Sequence, residues 1–318
     1  MNSYNNIMTV KQKGPIYMKF IALNRFYYYN DLINDSSMLK IAYPDLITTK
    51  FIGNTVSNRS ILMLRIGRGK KGIIMTGGVH GRESINPVVL MAMIEYYALA
   101  CTDEVERLAI KTKTGVDVLE FFEEYSLYVV PLLNPDGYMI ALRGYNIIHN
   151  EELRLKAKSL NLPYGEWKGN VNGIDINRNF PSLNFKEKFE GDVPGSELET
   201  KTLIRLFEEV ESEIYLDFHS RGKQIFYYRK QMPREYNENS LRIAMRLEKA
   251  TGYELVKPED EIEGNDSGGN TVHYYSEVFH KPALTIETVP EPAKFPLALK
   301  YQRMTYGEIL YVPFYLVE

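Results

Sequence analysis

Two histidines and a glutamate stand where short apolar segments end, and their side chains could together bind a metal ion. His80 and Glu83 follow the apolar segment 72–78, and their spacing can turn both side chains toward one point. His219 closes the apolar segment 214–219. Imidazole and carboxylate groups are suitable zinc ligands, and three of them with a fourth position left for water is the arrangement of a catalytic zinc. Each residue alone is also compatible with a surface, capping or core role.

Three further residues could act on a substrate at such a site. Glu287 ends the apolar segment 283–288, where it could serve as the base that activates water. A positioned base contributes roughly 10²–10⁴-fold to a rate. Asn177 and Arg178 lie in the segment GIDINRNFP, and an arginine fork with a neighbouring amide can hold a carboxylate. The alternatives are a solvated carboxylate for Glu287 and a polar loop for the Asn-Arg pair.

Composition limits both the site and the partners. The single cysteine, Cys101, excludes an internal disulfide and a multi-cysteine zinc site. With 38 Lys+Arg against 41 Asp+Glu, the chain lacks the basic surplus of nucleic-acid-binding proteins. The longest apolar run, residues 88–94, is far shorter than the roughly 20 residues that span a bilayer. The apolar patch 16–23 contains Lys19 and does not read as a signal peptide. We therefore expect no nucleic-acid partner, no membrane association and a cytoplasmic location.

Alternating strand and helix signals predict an α/β fold with a largely parallel or mixed sheet. The predicted strands cover residues 61–66, 72–78, 127–133, 214–219, 224–228 and 283–288. The predicted helices begin at Ser84 or Asn86, at a capping box of Ser196 and Glu199, at residue 235 (ending at Gly252), and near residue 295. The motif NPDG at residues 134–137 is typical of a turn. We expect a loose tail over residues 1–16 and one domain over 17–318.

Residues 67–72 match the G-x-G-x-x-G dinucleotide fingerprint in letters only. That motif requires a strand before it and a helix after it, so that the phosphate meets a helix N-terminus. Here a predicted strand follows instead. We therefore predict a basic hairpin turn and no nucleotide site.

Taken in order, six segments resemble the zinc carboxypeptidase family, the carboxypeptidase A-like metallopeptidases. They are GGVHGRE, NPDGY, WKGNVNGIDINRNFP, YLDFHS, SGGN and ALTIE, and they extend over about two-thirds of the chain, from residue 77 to 287. The resemblance implies a single α/β domain with a mixed sheet of about eight strands between helices. It implies that His80, Glu83 and His219 bind one Zn²⁺ and that Glu287 is the catalytic glutamate. It also implies that Asn177 and Arg178 hold a substrate carboxylate and that Arg82 lines the site.

The chain departs from the family pattern at three positions. Lys168 follows Trp167 where A-type members carry the arginine that polarises the scissile carbonyl, and lysine lacks the planar two-pronged grip. We expect Lys168 or Arg82 to help stabilise the oxyanion. Gly264 stands where the closing tyrosine is expected. Thr271 falls at the position that sets side-chain preference, and threonine there indicates neither basic nor aromatic substrates.

The forms WKGNVNGIDINRNFP and HSRGKQIFYY look more like a bacterial branch that cleaves γ-D-glutamyl-diamino acid bonds in peptidoglycan peptides. We therefore predict a zinc peptidase that hydrolyses an amide bond next to a free carboxylate, with a peptide or muropeptide as substrate. Our preferred hypothesis is that the substrates are recycled or sporulation-related muropeptides in the cytoplasm. The alternatives are a metallocarboxypeptidase for ordinary peptides, an N-acyl amino acid deacylase, and a non-catalytic binding protein that keeps the fold.

Overall fold

The computed structural model of the protein describes residues 19–262, without the side chain of residue 262, and residues 268–317. The predicted tail over residues 1–16 and its boundary with the domain lie outside these residues, as does Gly264. The strands are β1 (Ile47–Asn54), β2 (Ser60–Ile66), β3 (Lys71–Gly77), β4 (Tyr125–Val130), β5 (Ser212–Ser220), β6 (Gln224–Phe226), β7 (Glu254–Leu255) and β8 (Ala283–Thr288). The helices are α1 (Tyr29–Ala42), α2 (Asn86–Thr102), α3 (Glu104–Thr114), α4 (Val118–Glu124), α5 (Pro135–Arg143), α6 (Glu151–Ser159), α7 (Leu198–Glu209), α8 (Arg234–Thr251), α9 (Pro258–Ile262), α10 (Thr271–Phe279) and α11 (Lys300–Ile309).

The strands form one mixed eight-stranded sheet in the order β1-β2-β4-β3-β5-β8-β6-β7. The centre is parallel, because β3 pairs in parallel with both β4 and β5, and β5 pairs in parallel with β8. Antiparallel pairs flank it, namely β1 with β2, β2 with β4, and β6 with β8. The expected α/β fold with a mixed sheet is confirmed. Its consequence for function is that β3, β5 and β8 end side by side at one edge.

Helices cover both faces of the sheet. Apolar side chains on one face of the strands pack with α2, α4, α8 and α11, and those on the other face pack with α7 and α10. Helix α2 is buried over nearly its whole length, because α11 and α3 cover the side that the sheet does not. This explains a helix with no polar face. Within residues 19–262 and 268–317, no helix is both long enough and apolar enough to cross a bilayer.

Most predicted elements are present, and the differences are local. Helix α8 ends at Gly252, which adopts the left-handed conformation with φ 73° as predicted. The NPDG segment is more than a turn: Asn134 caps α5, since its side chain accepts a hydrogen bond from the Gly137 amide. The predicted capping box at Ser196 is absent from this helix start, because α7 begins at Leu198 and its N-cap residue is Glu197.

The predicted hairpin at residues 67–72 is wrong, although a strand does follow as expected. Strands β2 and β3 do not pair, because β4 lies between them, and the loop crosses the start of β4. A Cβ on Gly69 would lie 2.0 Å from the backbone carbon of Glu124, and one on Gly67 would lie 2.5 Å from the Tyr125 carbonyl oxygen. The two glycines therefore allow a close crossing of backbones rather than a tight turn.

Candidate active site

The ends of β3, β5 and β8 bring the predicted metal and catalytic residues together. His80 and Glu83 lie in the loop from β3 to α2, and His219 is the second-last residue of β5. Glu287 lies near the end of β8 and is the direct register partner of His219. Ligands in open α/β sheets bind outside the carboxyl ends of such strands. This topology places His80, Glu83 and His219, which we call the metal group, beside the Glu287 carboxylate at one edge of the sheet.

His80, Glu83 and His219 form a compact, buried group of donor atoms. One atom from each residue lies within 4.8 Å of the other two. His80 Nδ1 is 2.6 Å from Glu83 Oε1, and His219 Nδ1 is 3.1 Å from Glu83 Oε2. The two Nδ1 atoms are 3.2 Å apart. The Ser220 amide donates to Glu83 Oε2 and fixes the carboxylate in place.

The opposite nitrogen of each imidazole faces a carboxylate. His80 Nε2 lies 3.1 Å from Asp175 Oδ1, and His219 Nε2 lies 3.0 Å from Asp217 Oδ2. In the tautomer that carries the ring proton on Nε2, on the side of these carboxylates, both Nδ1 atoms present lone pairs toward Glu83. In that tautomer three acceptor groups converge, an arrangement that a bound cation would stabilise. Two imidazoles and one carboxylate fit Zn²⁺ and leave a coordination position for water or substrate.

Charges around the ligand set favour this arrangement. Burial by itself would raise the pKa of Glu83, but the adjacent His80 and His219 hold it below its usual range. Burial would lower the pKa of His219, but the carboxylates of Asp217 and Glu83 outweigh that effect and raise it. Both shifts have one cause, the electrostatic attraction between buried carboxylates and imidazoles, and a bound cation would be stabilised by the same carboxylates.

Glu287 has the environment of a proton carrier. Burial and the nearby Glu83 carboxylate raise its pKa to about 8. Its Oε2 is buried and has no hydrogen-bond partner among the described residues. The side chain as a whole is partly exposed and reaches the cleft. Positive charge at the three ligands would favour the ionised form that a base requires.

These residues face a cleft of about 410 Å³. The structure places most of the predicted site residues on its wall: Arg82, Lys168, Asn177, Arg178 and Glu287, together with His80 and Glu83. Lys168 Nζ lies 2.7 Å from Asp175 Oδ2, so the same carboxylate contacts both the lysine and His80. Arg178 donates to the Asn177 carbonyl oxygen, at 2.7 Å. The cationic and amide groups predicted to contact substrate therefore surround the metal group.

Thr271 is the exception among the residues predicted to contact substrate. It is fully buried, and it is not among the described residues that line the cleft. Its hydroxyl donates to Asp217 Oδ2, and its backbone amide donates to Asn177 Oδ1 at 3.0 Å. The neighbouring Val272 and His273 line the cleft instead. In the structure Thr271 therefore positions two other residues of the site, which contrasts with the expected contact with substrate.

Several functional residues were missed from the sequence. Asp217 and His219 alternate along a strand, a spacing that places both on one face, and this signal was available. Asp175 lies two residues before Asn177, but only the fold brings it to His80. Arg221 and Phe295 also line the cleft, and no local pattern marks them.

Comparison with known proteins agrees with this geometry. Gamma-D-glutamyl-L-diamino acid endopeptidase 1 of Lysinibacillus sphaericus is 26% identical over 276 residues, covering 82% of this chain and 65% of that protein. Human mast cell carboxypeptidase A is 26% identical over 213 residues, covering 62% of this chain and 46% of that protein. The chain thus spans between about half and two-thirds of the length of these relatives.

A solved structure shares the fold. The carboxypeptidase A of Helicoverpa armigera superposes with a TM-score of 0.67 at 19% identity, over 92% of this chain and 73% of that one. The sequence profile described as zinc carboxypeptidase matches residues 33–297, a range that includes the three predicted metal ligands and Glu287. The match extends over most of the chain, from α1 to the loop after β8. The chain therefore belongs to the zinc carboxypeptidase family.

Proposed function

We propose that the protein is a zinc-dependent peptidase that hydrolyses an amide bond next to a free carboxylate, and that its substrate is a γ-D-glutamyl-diamino acid bond of peptidoglycan peptides. The observation that carries the proposal is the convergence of His80, Glu83 and His219 beside Glu287 in an open cleft. The relative named as a gamma-D-glutamyl-L-diamino acid endopeptidase supports the choice of bond. The cytoplasmic location stays a prediction.

The residues of the chain divide the chemistry among them. His80, Glu83 and His219 would hold the Zn²⁺, which when bound would supply a Lewis acid for the carbonyl group and for water. Glu287 takes a proton from the attacking water and returns it to the leaving amine, a role that suits a carboxylate with a raised pKa. Of the two candidates for the oxyanion, Lys168 is the one we assign: it places positive charge on the cleft wall, where the carbonyl oxygen becomes negative.

Asn177 and Arg178 account for the requirement of a free carboxylate. Both line the cleft, and Asn177 is held by the Thr271 amide. A guanidinium can form two parallel charge-assisted bonds to a carboxylate, which fixes the direction of the peptide relative to the metal. Replacing Arg178 by Gln should raise KM by roughly 10- to 100-fold with a smaller change in kcat. Arg242→Gln, on the surface of α8, is the matched control.

Three substrates test the proposal directly. The purified zinc-loaded protein is incubated with L-Ala-γ-D-Glu-L-Lys, with benzoyl-Gly-L-Lys and with an N-acetyl amino acid, and the products are resolved by mass. We expect release of lysine from the first peptide at the highest kcat/KM. Preference for benzoyl-Gly-L-Lys would instead assign the protein to ordinary carboxypeptidases. Preference for the N-acetyl amino acid would assign it to deacylases, and both results would overturn the proposed substrate.

A further inference from the structure

Two arginines beside the metal group share one aromatic ring. Arg82 follows His80 by two residues, and Arg221 follows His219 by two residues. The guanidinium carbon of Arg82 lies 4.5 Å from the centre of the Phe295 ring, and that of Arg221 lies 5.5 Å from it. All three side chains line the cleft. We call Arg82, Arg221 and Phe295 the arginine clamp.

The arginine clamp carries more positive charge than its surroundings neutralise. Arg221 forms an ion pair with Glu291, whose side chain is 57% exposed. In the described part of the chain, no carboxylate lies within salt-bridge distance of Arg82. The Nε atoms of both arginines are buried and have no hydrogen-bond partner among the described residues. Among the described residues, two guanidinium groups thus face one carboxylate, and the clamp can accept another anion.

The geometry of the stack suits a carboxylate. A guanidinium that lies against an aromatic ring uses its face for that contact. Its N–H groups point outward in the plane of the fork and remain available for a planar, two-oxygen acceptor. Because both guanidinium groups contact the same ring, packing against Phe295 restricts both side chains before a ligand binds. This restriction lowers the entropic cost of ordering two long side chains when a ligand binds.

The arginine clamp is distinct from the group that contains Arg178. Arg178 contacts Asn177, and its charge acts on Asp175 and His273. Arg82 and Arg221 contact Phe295 instead. The cleft therefore holds two cationic groups, and an ordinary peptide with a neutral residue before the scissile bond offers them only one carboxylate, at its C-terminus. A γ-linked glutamyl residue offers a second one, because its α-carboxylate stays free on the acyl side of the bond.

From this match we infer that the arginine clamp binds the free α-carboxylate of a γ-linked glutamyl residue on the acyl side of the scissile bond. The inference rests on the proposed function and deepens it, since it names the residues that distinguish a γ-glutamyl bond from an ordinary peptide bond. Arg221 is then a specificity-determining residue. Its contribution is separate from the terminal-carboxylate contact of Arg178.

A matched pair of substrates tests the arginine clamp. L-Ala-γ-D-Glu-L-Lys is compared with L-Ala-γ-D-isoglutaminyl-L-Lys, in which a carboxamide replaces the α-carboxylate and nothing else changes. The wild-type protein should prefer the acid by on the order of 10- to 100-fold in kcat/KM. Arg221→Gln should reduce that preference to a few-fold, mainly by slowing the acid. Arg221→Lys should restore part of the preference, because charge returns without the fork.

The control variant is Arg143→Gln. Arg143 also stacks on an aromatic ring, 5.1 Å from the centre of Tyr28, but it is not among the described residues of the cleft. It should keep the wild-type preference, and thermal melting of each variant confirms that it folds. Equal rates for the acid and the carboxamide in the wild type would overturn the inference and leave the proposed function standing. Hydrolysis of benzoyl-Gly-L-Lys with neither γ-linked peptide cut would overturn both.

Discussion

His219 and Glu287 are direct register partners in the adjacent parallel strands β5 and β8. Paired residues in neighbouring strands point to the same face, so a proposed metal ligand and the proposed base lie side by side on one face of the sheet. Their spacing is set by backbone hydrogen bonds of the sheet, and loop conformation does not enter. The sheet therefore fixes this pair, and the loops around it place Arg82, Lys168 and Arg221.

Glu287→Gln should separate metal binding from catalysis. The substitution removes the carboxylate but keeps the size of the side chain, and Glu287 is not one of the three ligands. We expect zinc content near one per chain and a loss of kcat of roughly 10²–10⁴-fold. Metal analysis by mass spectrometry and the rate on L-Ala-γ-D-Glu-L-Lys measure the two effects. A variant that keeps full rate would show that the role given to Glu287 is wrong.

Asp217→Asn should weaken zinc binding without touching a ligand. Asp217 lies 3.0 Å from His219 Nε2, and its own oxygens accept hydrogen bonds from Thr76 and Thr271. Loss of a carboxylate that orients a histidine ligand lowers metal affinity by about 10- to 100-fold. Competition with a chromophoric chelator measures the affinity.

The matched control for Asp217 is Asp45→Asn, since Asp45 is exposed on the surface. It should leave zinc affinity unchanged. Wild-type affinity in Asp217→Asn would mean that the orientation of His219 comes from packing alone.

Thr271 should govern stability and Val272 should govern substrate preference. Thr271→Val removes a hydroxyl that donates to the buried Asp217, and an unsatisfied buried acceptor costs about 1–3 kcal/mol. We expect a lower free energy of unfolding in urea and an unchanged ratio of kcat/KM between peptides ending in lysine and in leucine. Val272→Phe narrows the cleft and should change that ratio. If the ratio changed in Thr271→Val and not in Val272→Phe, the result would support the predicted contact between Thr271 and the substrate.

Glu199 should make stability depend on pH. Burial, with a smaller effect of Asp136 and Glu197, raises the pKa of Glu199 from 4.5 to about 7. The native state therefore binds a proton that the unfolded state releases, so the stability contribution is complete below about pH 4.5 and is lost as pH rises through 7. Glu199→Gln mimics the protonated form and should stabilise the protein at pH 8 by up to about 3 kcal/mol.

Urea unfolding at pH 5 and pH 8 measures this effect, and the gain in Glu199→Gln should be small at pH 5. Glu209→Gln serves as the control, because Glu209 is half-exposed at the other end of α7 and pairs with Lys50. It should show no pH-dependent gain. The same gain at both pH values would indicate that the carboxyl of Glu199 does not titrate in this range.

From the sequence by itself we predicted three metal-binding residues, and the strands that position them are present in the structure. Apolar segments bounded by glycine and polar residues mark β3, β5 and β8, and His80, His219 and Glu287 stand at or just beyond their ends. These signals are short-range, because strand periodicity and helix caps depend on neighbouring residues. The family motifs joined them into one expected site. The mixed sheet follows from the same alternation of strands and helices.

Only the tertiary structure decided which residues support that site. Because β4 lies between β2 and β3, the segment predicted as a hairpin is a loop that crosses the start of β4. Helix α10 packs on β5, and this packing buries Thr271 against Asp217. The approach of Arg82 and Arg221 to Phe295 joins three separate loops. Such contacts depend on strand order and helix packing across long sequence distances, which no local pattern encodes. Sequence motifs predict the metal ligands, whereas their supporting contacts and the arginine clamp form only when distant segments pack together.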